Sequence, residues 1–274
     1  MLKQFSFKHV VAVLAVVVLG MFFANSEAKA SSYPGCGAPS GRACSEFFSR
    51  FQALKRLIAE ENGVADAEGN LDMVEDAQKR LGLNLEYLTD GFVALQRAYG
   101  GSSGTVETRS IFSVVVDSYD ALSQSVRFLD LVLTGIKAAQ SENDYNDATA
   151  NVRLIVNAVK ETHYPLAQFE RSFHALLGIV SNTDTKVAQA MFALIVQGAT
   201  NFPIDPLTQS MLEMIRAENN HSEAIGNYSL VLQAARKCGD VRVANQDFTE
   251  LLASVGGNGE TSRARALYVK LYKL

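Results

Sequence analysis

The chain has 274 residues, of which 48% are hydrophobic and 20% charged, with a formal net charge of -4. That balance excludes an intrinsically disordered chain and supplies enough apolar surface for a core. The near-neutral charge also excludes a protein drawn to nucleic acid or anionic lipid by its overall field.

Lys3 and Lys8 precede an apolar run from Val10 to Ala24, and Ala28-Lys29-Ala30 supplies small residues around a cleavage site. This pattern predicts a signal peptide over residues 1–30, with the mature chain starting near Ser31 or, alternatively, after Ser26. Secretion and an extracellular location follow as expectations. Three cysteines, Cys36, Cys44 and Cys238, leave one over in an oxidising compartment. Cys36 and Cys44 flank a Gly/Pro-rich turn and suggest a local disulfide. Cys238 is then free for a partner chain; a buried thiol, or pairing with Cys36 or Cys44, is the alternative.

Apolar spacing of three and four predicts an all-α protein. The expected helices begin with Ser45 to Glu61, followed by a loop from Gly63 to Asn70. Long helices from Leu71 to Tyr99 and from Thr105 to Ala139 come next, joined by Gly100-Gly101-Ser102-Ser103-Gly104 as an antiparallel pair. Asp144 to Thr162 and a segment restarted by Pro165 complete a first bundle of about five helices. Ser181-Asn182-Thr183-Asp184 reads as a domain boundary, giving domains over 31–182 and 183–274. Lys186 to Ala199, apolar on nearly all sides, predicts a buried helix. Pro206 to Glu218, Glu223 to Lys237, Asp240 to Val255 and Thr261 to Leu274 follow. No short-period repeat is evident. After leader removal no apolar stretch is long and clean enough to span a membrane.

No catalytic or metal constellation emerges. The mature histidines, His163, His174 and His221, form no HExxH, there is no CxxC, and no serine sits in a GxSxG turn. The glycines at 100–104 and 256–259 follow no strand and carry no Walker lysine, so both read as interhelical loops. No enzyme activity, cofactor or metal is expected. Asn220-His221-Ser222 and Asn227-Tyr228-Ser229 are glycosylation sequons. Seven acids and no base lie between Glu60 and Asp76, while Arg263, Arg265, Lys270 and Lys273 close the chain. These are either ordinary helix-end charge preferences or two complementary docking patches, the acidic one responsive to mild acid.

Several segments resemble the terminal domains of spider silk proteins. Gly69-Asn70-Leu71-Asp72-Met73 is similar to the opening of the family's second N-terminal-domain helix, and Arg109 stands near a basic residue that opens the third. Tyr164-Pro165 through Gln168-Phe169-Glu170 resembles the entry to the last. Gly198-Ala199-Thr200-Asn201, Leu207-Thr208-Gln209-Ser210-Met211 and Ser229-Leu230-Val231-Leu232-Gln233-Ala234 resemble C-terminal-domain motifs. Tyr228 stands where the family's intermolecular cysteine falls, and the family's repetitive Gly/Ala region is missing. The resemblance implies a non-enzymatic assembly module that forms homodimers or larger homo-oligomers, alone or with other silk-type chains, and whose N-terminal domain pairs on acidification. By position, Asp72 and Glu75 would meet Arg109 across that interface, and Glu170 would be a carboxylate whose protonation favours the dimer. Cys238 could lock a C-terminal dimer. A secreted helical carrier of lipid or another apolar ligand is the alternative, and a secreted inhibitor or effector that docks on a partner protein is a further one.

Overall fold

The computed structural model describes residues 41–122, 125–180, 184–218 and 220–274, with side chains from residue 45 onward. The expected leader, Cys36 and the thiol of Cys44 lie outside that set. Residues Phe47–Leu274 form one compact body. The described residues form twelve α-helices and no strand: α1 (Gly41–Glu60), α2 (Val64–Leu81), α3 (Leu85–Ala98), α4 (Thr105–Ala121), α5 (Phe128–Ser141), α6 (Tyr145–Thr162), α7 (Leu166–Val180), α8 (Thr185–Ala199), α9 (Ile204–Glu218), α10 (His221–Cys238), α11 (Val241–Val255) and α12 (Thr261–Tyr272). Short 3-10 turns at Gly101–Gly104 and Asn258–Glu260 precede α4 and α12.

Local chemistry sets the helix ends. Asn84, Asp144, Asn220 and Asp240 each accept a backbone N–H of the following first turn. Gly82, His163 and Gly239 end α2, α6 and α10 in the left-handed conformation. Each N–H returns to the carbonyl four residues back, as in a left-handed helix cap.

The two long helices expected at 71–99 and 105–139 are each broken in two. Gly82 turns the chain left-handed and Asn84 starts a new helix, although the spacing of Leu71, Val74, Leu85, Leu88, Phe92 and Leu95 runs on across the break and all six are buried. The second break separates α4 from α5. Residues 64–70, read as loop because they are polar, form the first turns of α2. The helix expected to be buried on all sides, α8, exposes Ala190, Ala193 and Gln197; small side chains give that outer face its apolar reading.

The twelve helices are three copies of one four-helix unit: α1–α4, α5–α8 and α9–α12. The same ring contact recurs between the third and fourth helices of each. Phe92 meets Phe112 at 5.1 Å, Phe173 meets Phe192 at 5.3 Å and Phe248 meets Tyr268 at 5.1 Å, all edge to face. Successive repeats dock identically. Helix α5 lies against α3 and α4, and α9 lies against α7 and α8 in the same way. The boundary expected at Ser181–Asp184 falls between α7 and α8, inside the second repeat. Hydrogen bonds from Thr185 to Glu142 and from Gln189 to Asn151 cross it.

Candidate functional site

Each repeat is centred on a polar cluster, and the cluster has one design. A glutamate at the end of the repeat's first helix accepts from an asparagine nine residues later and from a threonine that opens the fourth helix. In the second repeat Asn151 Nδ2 donates to Glu142 Oε1 at 2.6 Å, and Thr185 Oγ1 donates to Oε2 at 2.7 Å. In the first, Asn70 Nδ2 donates to Glu61 at 2.6 Å, Thr105 Oγ1 at 2.9 Å, and Gln96 adds a further bond. In the third, Glu218 accepts from Asn227 and, at 2.8 Å, from Thr261. The three asparagines are almost wholly buried. A buried carboxylate survives only if its lone pairs are filled, and these donors fill them. Each cluster thereby fixes three helix ends in one register.

A fourth residue holds the asparagine from behind. Arg109 Nε donates to Asn70 Oδ1 at 2.7 Å and reaches the Asp66 carbonyl at 3.0 Å. Arg265 does the same to Asn227, with the Glu223 carbonyl at 3.2 Å. The second repeat uses the shorter Gln189, which meets Asn151 Oδ1 at 2.8 Å. The residue before the asparagine follows suit. A methyl group at Gly69 or Gly226 would stand 3.0 or 2.9 Å from the arginine Nη2, so glycine gives the guanidinium room. Opposite Gln189 the position is Ala150. Glu142 is held by the neutral donors Asn151 and Thr185, and burial raises its carboxyl pKa above the ordinary value.

The signal for these clusters was present in the chain. The string Glu-Asn-x-x-x-Asp/Glu-Ala-x-x-Asn begins at residues 61, 142 and 218 and nowhere else. Its copies are 81 and 76 residues apart, beyond any short-period comparison, and outside the string the repeats have diverged.

Three of the four expected interface charges, Arg109, Glu75 and Glu170, have partners within their own chain. Arg109 belongs to the first cluster and also meets the Asp66 carboxylate at 3.2 Å. Glu75 pairs with Arg50 at 2.6 Å, and Asp72 is exposed on α2. Glu170 is buried on α7, where it accepts from Thr134 and from Lys137 at 2.9 Å. Within the acidic stretch Glu60 of α1 pairs with Arg97 of α3, and Asp76 pairs with Lys79 on its own helix α2. Asn220 is the exposed cap of α10, whereas Asn227 is the cluster asparagine, so a glycan on Asn227 requires opening the third cluster. Cys238 is a free, exposed thiol at the end of α10.

Among the described residues no group of three or more His, Cys, Asp or Glu could hold a metal, and no helix is long and apolar enough to cross a membrane. A groove of about 580 Å³ between α5 and α7 has a mixed lining, with Arg127, Lys137 and Glu170 beside Leu133, Pro165 and Leu166. His174, on the same α7, has its pKa lowered by burial. No protein-family model, curated protein or solved structure matches the chain.

Proposed function

We propose that the protein is a secreted, non-enzymatic structural component that works by self-association. The observation carrying this reading is the tandem threefold repeat, in which every cluster glutamate is consumed in joining helices. Tandem repeats bury their apolar faces by stacking on their neighbours, which makes stacking on further copies a natural extension. The likeness of several segments to silk-protein terminal domains supports the same class, with homo-oligomers as the working state. Arg109 and Glu170 are held within their own repeats, so this reading places association on apolar surface rather than on those charges.

Native mass spectrometry of the purified protein tests the reading. It predicts masses at multiples of the chain without added ligand. A single-chain mass carrying lipid would replace the reading with the carrier.

A further inference from the structure

Two of the three grooves made by the last two helices of a repeat are filled. In the first, Phe128 of α5 meets Phe112 at 6.3 Å and Tyr119 at 5.9 Å, both on α4. Gly91 of α3 leaves space for the same helix: a methyl group there would lie 2.8 Å from Phe128 and 3.2 Å from Val132. Ile111 of α4 closes on α5 at Gly135, where a methyl group would stand 3.3 Å away. In the second groove, Gly198 of α8 makes room for Leu207 of α9, and Ser172 of α7 bonds to Thr208 at 2.7 Å. In the third groove, between α11 and α12, no helix among the described residues is seated.

The open groove retains the apolar side chains that its counterparts bury. Leu267 and Leu271 occupy the positions of Ile111 and Val115 in the first repeat and of Met191 and Ile195 in the second. Those four are fully buried, whereas Leu267 is 40% and Leu271 62% exposed. At the other end, α1 is a first-position helix with no groove before it in the body 47–274. Phe47 and Phe51 stand where α5 has Phe128 and Val132. They are 67% and 43% exposed, against 2% and 0% for their counterparts. The same α1 buries Ala53 and Leu57 inward, as α5 buries Thr134 and Ala138 and α9 buries Ser210 and Met214. Its outer face is thus the groove-filling face.

The two open ends also carry opposite charges. At the position of Gly91 and Ser172 the groove end carries Asp247, and at the position of Leu131 and Leu207 the α1 end carries Arg50. Asp247 accepts from Tyr272 and Arg50 pairs with Glu75, so both charges are held at the surface by their own chain.

We propose that the protein assembles head to tail, α1 of one copy seating in the α11–α12 groove of the next and repeating the α5 and α9 junctions. The proposal rests on the self-association reading above and assigns its surface and its partner, a second copy of this chain. Such an interface is heterologous: each copy offers one head and one tail, and the assembly grows until the rotation closes or the ends are capped.

The test uses the full chain and two variants, Phe51→Glu at the head and Leu271→Glu at the tail. Both side chains are exposed in the single chain, so unchanged circular dichroism and melting are expected and are checked first. Sedimentation velocity should show wild-type assemblies that grow with concentration. Each variant alone should need about tenfold or more protein to associate, because a charge replaces a buried apolar contact. An equimolar mixture should recover a dimer and stop there, since Phe51→Glu retains a sound tail and Leu271→Glu a sound head. Wild-type assemblies untouched by either variant would overturn the head-to-tail interface while leaving self-association standing. Loss of assembly in one variant with no recovery on mixing would overturn it in favour of a two-fold interface. A wild-type single-chain mass at every concentration would overturn both.

Discussion

Glu142 and Asn151 lie nine residues apart across the α5–α6 corner, and the amide of one fills a lone pair of the other at 2.6 Å. The same nine-residue step links Glu61 to Asn70 and Glu218 to Asn227. Glu142→Ala would leave Asn151 and Thr185 as buried donors without an acceptor, each costing about 1–3 kcal/mol. Glu142→Gln keeps the shape: its oxygen accepts from Asn151, and its amide donates to the Thr185 hydroxyl. Urea unfolding should place Glu142→Ala about 3 kcal/mol below wild type and Glu142→Gln within about 1 kcal/mol of it. Equal losses would contradict the cluster as a hydrogen-bonded unit.

The same carboxyl sets a pH dependence. Burial raises the Glu142 pKa above 4.5, so the folded chain binds this proton more tightly than the unfolded chain does. Its contribution to stability is therefore fully present below the unfolded value and is lost as pH rises through the folded one. On acidification from pH 7 to pH 4, wild type should gain stability relative to Glu142→Gln, which carries no proton there. A difference that stays constant across this range would contradict the assignment.

Gly226 and Arg265 should be coupled. Gly226→Ala brings a methyl group 2.9 Å from the guanidinium, displacing Arg265 from Asn227 and Glu223. Lost charged hydrogen bonds outweigh the helical preference of alanine, for a net loss of about 1 kcal/mol. Adding Arg265→Gln recreates the Ala150–Gln189 pair of the second repeat. In a double-mutant cycle from thermal unfolding, the double variant should be more stable than the sum of the singles by about 1 kcal/mol. Additive effects would show that the repeats do not exchange these pairs.

His163 ends α6 at φ 61, while Gly82 and Gly239 end α2 and α10 at φ 69 and φ 84. A side chain in this region costs about 1–2 kcal/mol. His163→Gly should therefore raise stability by about 1 kcal/mol, and Gly82→Ala or Gly239→Ala should lower it by a similar amount. Differential scanning calorimetry reads all three; a destabilised His163→Gly would contradict the shared cap.

Much of the fold was legible in the chain. The all-helical class and most boundaries from Asp144 onward follow from caps such as Asp144 and Asp240 and from Pro165. The breaks after Leu81 and Ala121 were hidden because the three-and-four spacing continues across them: Leu81, Leu85 and Leu88 keep step through the Gly82 turn. The polar clusters were harder to read. Glu61 and Asn70 look like loop residues, since the partners that hold them, Thr105 and Arg109, lie some forty residues on. Only the three Glu-Asn strings, each about eighty residues from the next, betray the repeat. The ring pair Phe92–Phe112 and its copies are apolar positions like many others, and nothing in their spacing marks them.

Absolute mass by light scattering tests the central claim most directly. The purified protein would be followed over a hundredfold concentration range at pH 7.5 and pH 5.5, with and without reductant. Apolar ends predict a mass that climbs above one chain with concentration at both pH values and survives reductant, since Cys238 is not needed for the junction. A mass fixed at one chain, 29.7 kDa or its processed equivalent, under every condition would contradict the account.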